Sequence, residues 1–421
     1  MLRSPVETAA LSRGIHRLKP QPESDVGVGA IFPSNYIFDL NRLYLHTDYL
    51  SARKQLNREC WASLISSGLS VIRSYCRGRN LVFALWLVTN GVTVAAAAPT
   101  ADWSEPMQLL GRQIAPGTSS KFPFNPDRSF EASYVNIPVF VARGQAPGPT
   151  LCLTAGIHGD EINGVEVARR AFARVNPKEL RGTLIVLPII NAEGFRSGNR
   201  YLPDRRDLNR AFPGSSGGSV ARLIAHAIFT KVVSRCDALV DLHTASNQRT
   251  NLPQVRADLS DPAIRELAIH FGLGIVVGGS GPDGSLRGET ANAGIPAIIY
   301  EAGEPFRFQE DEIERGLYGV ENVMAYLEMT AQVDREIPDD RVYQHSRWIR
   351  TTAGKGGFFF PTAELGDFVR KGDSLGKIVD PLTDASIEVI SPIAGEIVGM
   401  AVPQPVLSGY ALFHLAWHDS E

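Results

Sequence analysis

Residues 151–170, LCLTAGIHGDEINGVEVARR, limit the possible folds of this chain more than any other stretch. Residues 151–157 form an apolar run of small and branched side chains, the composition of a buried strand. The run breaks at Gly156 and Gly159, and apolar residues return at helical spacing as Ile162, Val165 and Ala168. A strand passing through a glycine turn into a helix belongs to an α/β sheet, and such sheets bind ligands beyond the carboxyl ends of their strands. His158 and Glu161 occupy that turn. A short turn can aim an i, i+3 pair at one point, and an imidazole with a carboxylate is a plausible pair of zinc ligands. Alone, the spacing is weak, because a surface histidine before a first-turn glutamate is spelled the same way.

The following residues extend the pattern. An alternating strand over 134–143 and a turn at 145–149 (QAPGP) precede the run; a helix over 162–174 and a second strand over 183–190 follow it. Strand, helix and strand within about 40 residues make a βαβ unit, so part of the sheet is parallel. Residues 191–214 are polar and rich in Gly and Pro, too long for a simple connector, and read as a functional loop. This loop carries Arg200 and the run Asp207-Leu208-Asn209-Arg210, whose guanidinium forks and amide suit a carboxylate or a developing oxyanion. The same four letters at 39–42 lack the preceding strand, which shows how little they mean alone.

A helix over 220–233 contains His226, read as a structural or surface histidine. A strand over 238–242 then delivers His243, the second histidine at the end of a core strand. Two histidines and Glu161 with an open fourth position match a catalytic zinc site. Asp241 reads as a supporting acid and not as a ligand. A strand over 297–300 ends at Glu301, placed to take a proton from an activated water and return it to a leaving amine. Glu304 is its competitor. Arg287 reads either as a grip for a substrate carboxylate or as a solvated loop charge.

His158-Gly-Asp-Glu161, Arg200, Asp207-Leu-Asn-Arg210, His243 and Glu301-Ala-Gly, in this order across about 135–310, resemble the succinylglutamate desuccinylase/aspartoacylase family, which is related to the zinc carboxypeptidases. The resemblance implies a mixed, mainly parallel α/β sheet flanked by helices, zinc carboxypeptidase-like, and one zinc per chain held by His158, Glu161 and His243. It implies that Arg200 polarises the scissile carbonyl, that Glu301 is general base and acid, and that Asn209 and Arg210 grip a carboxylate. Arg287 matches only loosely an arginine that some members use for a side-chain carboxylate. Many members have Asn where this chain has Asp160; that position is not a ligand.

The expected activity is a zinc amide hydrolase acting on N-acylated amino acids or similar small carboxylate-bearing amides. Alternatives are a metallocarboxypeptidase-like enzyme acting on short or cell-wall peptides, and a non-catalytic binding protein; the complete set of ligands and Glu301 favours an enzyme. The expected partner is a small molecule with a free carboxylate, and a homo-oligomer is compatible with the reading. A net charge of −3 across 421 residues argues against a nucleic-acid surface.

Residues 336–421 hold short strands, glycines and prolines, and look like a small all-β, biotinyl/lipoyl-type domain capping a catalytic domain at 99–335. The expected hairpin tip at 381–386 has no lysine, which argues against a swinging-arm carrier. At the other end, Arg73, Arg77 and Arg79 precede an apolar stretch at 81–98 that ends in alanines, so 71–98 reads as a signal peptide and 1–70 as a non-native or disordered extension. The expected location is therefore exported and periplasmic, with a membrane anchor as the alternative. Cleavage would leave Cys152 and Cys236, read as two small buried hydrophobes whose pairing the sequence does not reveal.

Overall fold

The computed structural model describes residues 103–126, 136–332, 341–352 and 354–418, so the readings for 1–70 and 71–98 lie outside the described residues. The molecule is built on one 13-stranded mixed sheet. Its centre is four parallel strands in the order Arg181–Leu187, Ala146–Ala155, Ala238–His243 and Ala297–Gly303. Antiparallel strands continue on both sides: Ile137–Arg143 and Thr118–Phe124 beyond the first, and Arg249–Ala257 beyond the last.

Period-2 alternation explains why these strands sit in the middle. Leu151, Leu153 and Ala155 enter one core, together with Leu184, Val186, Val240 and Leu242. Their neighbours Cys152, Ile185, Leu187 and Leu239 enter the core on the opposite face. A strand buried on both faces is apolar at every position, which is why 151–157 reads as a continuous run. The helices Ile162–Arg174 and Glu310–Tyr326 cover the first core, and Val220–Lys231 covers the second.

Several expectations need correction. Residues 146–149 belong to the strand Ala146–Ala155 and not to a turn, because Ala146 already pairs with Arg181. Arg287 is neither a loop residue nor solvated: it lies in the helix Leu286–Asn292 and is buried. Cys152 and Cys236 are not two independent hydrophobes but a disulfide, with Cα atoms 5.8 Å apart, tying the middle of one central strand to the entry of the next.

The C-terminal region is joined to the sheet more intimately than a separate cap. Gly395–Ala401 pairs with Arg249–Ala257, and Ala411–Trp417 and His345–Arg350 extend the same sheet. A four-stranded sheet of Gly357–Pro361, Ser374–Val379, Ser386–Ile390 and Gln404–Val406 packs on these strands around Phe359, Leu375, Phe413 and Leu415. The hairpin turn between Val379 and Ser386 carries the exposed Leu382 at its tip. No helix among the described residues is long and apolar enough to cross a membrane.

The two glycines of the turn, Gly156 and Gly159, have distinct tasks. Gly156 has φ +59°, a left-handed conformation that turns the chain out of the strand. Gly159 is required for space: a Cβ there would lie 1.9 Å from the carbonyl carbon of Gly194. Gly159→Ala is expected to lower stability by about 2 kcal/mol, because backbone must move to admit the methyl. Denaturant unfolding checks this, and an unchanged midpoint would refute it.

Candidate active site

Register brings the predicted residues together. The strands leading to His158, His243 and Glu301 are adjacent and parallel, with Ala155 opposite Leu242 and His243 opposite Glu301. Their carboxyl ends therefore open at one edge of the sheet. His158 Nδ1 lies 2.7 Å from Glu161 Oε1, and His243 Nδ1 lies 2.8 Å from Glu161 Oε2. Donor atoms of the three side chains fall within 4.8 Å of one another, and all three residues are buried.

The opposite nitrogen of each imidazole faces an acid. His243 Nε2 is 2.8 Å from Asp241 Oδ2, and Asp241 Oδ1 accepts a 2.7 Å hydrogen bond from Thr154 Oγ1. His158 Nε2 is 3.3 Å from Asp207 Oδ1. Carboxylates behind metal-binding histidines fix ring orientation and raise basicity, so this donor set suits a divalent ion such as zinc. Asp241 thus fills the supporting role read from the sequence. Asp207, legible only as the first letter of a loop motif, supports the other histidine.

Without a metal, electrostatics within this cluster oppose burial. Burial alone would push both imidazoles towards neutrality; Glu161 with Asp207 holds the His158 pKa above its ordinary value, and Asp241 with Glu161 holds His243 well above it. Burial would raise the Glu161 pKa, but the two imidazoles drive it well below the usual carboxylate range.

Arg200 donates to Asp207 Oδ2 at 2.9 Å and to Glu161 Oε1 at 3.4 Å, and also bonds Ser246. It therefore points its guanidinium at the edge of the donor cluster. Glu301 accepts from Asn251 Nδ2 at 2.9 Å, and its Oε1 lies 3.1 Å from Arg256. Glu304 does not line the cavity and turns to Arg307. His226 is half-buried on the helix Val220–Lys231 and takes no part in the cluster.

His158, Glu161, Arg200, Asp207 and Glu301 line a cavity of about 440 Å³. Asn209, Arg210 and Arg287 line it as well. Asn209 Oδ1 accepts from the backbone N–H of Leu286 at 2.8 Å, joining the loop to the helix that carries Arg287. Burial and then the nearby charge of Arg256 lower the Arg287 pKa to about 10. The sequence reading missed Asn251, Arg256 and Arg249 on the strand Arg249–Ala257, and Trp348 and Arg350 from the C-terminal region. No local pattern marks these residues; only the pairing of strands far apart in the chain brings them to the cavity.

The mixed sheet thus presents a His–Glu–His donor group and a carboxylate at the carboxyl-end edge of adjacent parallel strands, an arrangement suited to metal-assisted hydrolysis. Residues 147–327 match the model of the succinylglutamate desuccinylase/aspartoacylase catalytic domain. The chain is 26% identical over 277 residues to the N-alpha-acetyl-L-2,4-diaminobutyric acid deacetylase of Halomonas elongata, spanning 62% of this chain and 78% of the relative. A 108-residue segment is 35% identical to the succinylglutamate desuccinylase of Pseudomonas aeruginosa, covering 23% of this chain and 32% of that protein. Among solved structures, a succinylglutamate desuccinylase/aspartoacylase from Rhodobacter sphaeroides superposes with a TM-score of 0.62 at 27% identity, covering 71% of this chain and 96% of that one. The product-bound ectoine utilization protein EutE of Ruegeria pomeroyi has the same fold, with a TM-score of 0.66 at 22% identity over 74% and 98% of the two chains. Residues 147–327 therefore form a catalytic domain of the succinylglutamate desuccinylase/aspartoacylase type, and the curated relatives that the chain resembles are named as a deacetylase and a desuccinylase.

Proposed function

We propose that this protein is a zinc-dependent hydrolase that removes the acyl group from an N-acylated amino acid or a similar small amide bearing a free carboxylate. The observation that carries this reading is the meeting of His158 and Glu161 of the donor group with Arg200, Glu301 and the Asn209–Arg210–Arg287 wall in one cavity. His158, Glu161 and His243 would hold the metal, which when bound supplies Lewis acidity and lowers the pKa of water.

The chain's own residues do the rest. Arg200, fixed by Asp207 and Ser246, presents positive charge to the carbonyl oxygen as it becomes an oxyanion. Glu301 takes the proton of the attacking water and delivers it to the leaving nitrogen. Asn209, Arg210 and Arg287 hold the carboxylate end, so the amide is presented in one orientation. The deacetylase and desuccinylase names of the relatives support acyl removal over peptide cleavage. A screen of zinc-loaded protein against N-acyl amino acids and short peptides tests it. Cleavage of peptides alone would replace this reading with the carboxypeptidase-like one.

Zinc binding itself has an expected pH dependence. In the metal-free protein the acids around His158 and His243 outweigh burial and raise both imidazole pKa values, favouring the protonated form, whereas a ligand must be neutral. Zinc binding near about pH 7 should therefore release protons, and apparent affinity should rise with pH until the raised histidine pKa values are passed. The same contacts stabilise the metal-free fold below the unfolded histidine pKa, and that contribution is lost as pH rises through the folded values. Titration calorimetry in buffers of different ionisation enthalpy counts the protons; none released would refute the assignment.

We also assign the protein to an exported, oxidising compartment. The Cys152–Cys236 disulfide and the signal-like segment 71–98 support this. A mature N-terminus that still carries residues 71–98, in protein from its native host, would overturn cleavage.

A further inference from the structure

A second cavity, of about 490 Å³, adjoins the first. Arg200, Tyr201 and Asn247 line both, whereas Asn209, Arg210 and Arg287 line only the first. Arg200 thus stands between the compartment that grips a carboxylate and one that nothing in the proposed reaction uses. A substrate held by its carboxylate end, with its scissile carbonyl at Arg200, has its acyl portion directed away from the carboxylate grip. The adjoining cavity shares Arg200 but none of the carboxylate-gripping residues.

The lining of this compartment differs in kind from that of the first. Tyr201, Phe306 and Tyr410 supply three aromatic rings, and Asn247, Gln248 and Gln404 supply polar rims. Among the described residues that line it, the one cation is Arg200, already engaged by Asp207 and Glu161, and the one acid is Asp160. Its described lining thus holds no second guanidinium to receive a second carboxylate.

The backbone is held in unusual conformations around the same space. Seven non-glycine residues among those described have positive φ, and three of them, Asn247 (+55°), Gln248 (+57°) and Phe306 (+67°), line this cavity. Such conformations concentrate at ligand clamps, where the surrounding structure imposes them. Here the Gln248 carbonyl is held by Gln404 at 2.7 Å and by the backbone of Val402 at 3.1 Å, and the Phe306 N–H bonds the Asp160 carbonyl at 2.9 Å. Phe306 is nonetheless 61% exposed, a large apolar side chain kept at a cavity rim.

We propose that this compartment is an acyl-side subsite for an uncharged acyl group larger than acetyl, with an aromatic or other bulky apolar body. The proposal rests on the deacylase reading above and specifies its substrate class. The ring of such a group would stack among Tyr201, Phe306 and Tyr410, while a short acetyl would leave the space to water and a succinyl carboxylate would enter it without a counter-charge.

The test compares N-phenylacetyl, N-acetyl and N-succinyl derivatives of one amino acid. With zinc-loaded protein, kcat/KM for the phenylacetyl compound should exceed the other two by roughly tenfold or more. In Phe306→Ala the ratio of phenylacetyl to acetyl turnover should collapse towards one. Binding of the same compounds to zinc-loaded Glu301→Gln protein, read by calorimetry, requires no turnover and should show the same preference. Equal binding of the three, tighter binding of acetyl or succinyl, or no binding at all overturns the subsite. Preferential phenylacetyl binding to Glu301→Gln without hydrolysis of any compound by the unaltered protein would instead retain the subsite and overturn the deacylase reading.

Discussion

Glu301→Gln is expected to retain about one zinc per chain while lowering turnover by roughly 10²–10⁴-fold, the range that a general acid–base group contributes. The substitution preserves size and removes only the ability to accept and return a proton. Its surroundings make the test selective. Glu301 is anchored by Asn251 at 2.9 Å and by Arg256 at 3.1 Å, whereas His158, Glu161 and His243 are held by other partners, Asp207, Asp241, Arg200 and Ser246. The donor cluster should therefore be undisturbed, which metal analysis of the purified variant verifies. Turnover equal to that of the unaltered protein would remove Glu301 from the mechanism and return attention to Glu304, despite that side chain's position outside the cavity.

His158→Ala combined with His243→Ala should reduce the metal content from about one zinc per chain to none, and activity to background. The structural reason is that the two imidazoles approach the two oxygens of one carboxylate, so removing both leaves Glu161 as the sole donor of the group. A fold cost accompanies this loss. Glu161 is buried, and among the described residues Arg200, Ser246 and the backbone N–H of Thr244 remain to compensate it. Breaking a buried charge pair costs about 3–5 kcal/mol, moderated here because the carboxyl can take up a proton. Circular dichroism and the unfolding midpoint separate loss of metal from loss of structure. A folded double variant that still binds stoichiometric zinc would refute the assigned ligands.

The parts legible in the sequence share a physical basis. Residues 151–170 encode strand, turn and helix locally: an apolar run buried on both faces, two glycines that no other residue replaces, and then a 3.6-residue period. The same logic placed His243 and Glu301 at strand ends, and three adjacent strands in parallel register bring those ends together. Failures of the reading are equally physical. The QAPGP segment carries turn residues yet extends a strand, because its neighbour Arg181–Leu187 offers it a partner. Arg287 reads equally as a carboxylate grip or a solvated loop charge, and the helix Leu286–Asn292 excludes the second by turning it inward to bond the carbonyl of Gly279 at 2.8 Å.

What the sequence alone determined is the chemistry on offer: which side chains stand at the ends of core strands, and hence the His–Glu–His group and the acid beside it. Local patterns suffice for that, since burial period and glycine geometry act over a few residues. Tertiary structure decided how each group is held and what surrounds it. Asp207 reaches His158 across 49 positions of chain, Arg256 reaches Glu301 across 45, and Trp348 enters the cavity from a strand beyond the catalytic segment. It also decided that Cys152 meets Cys236 across 84 positions. Such contacts depend on which strands pair and in what register, a property of the whole sheet's burial that no short window of residues contains.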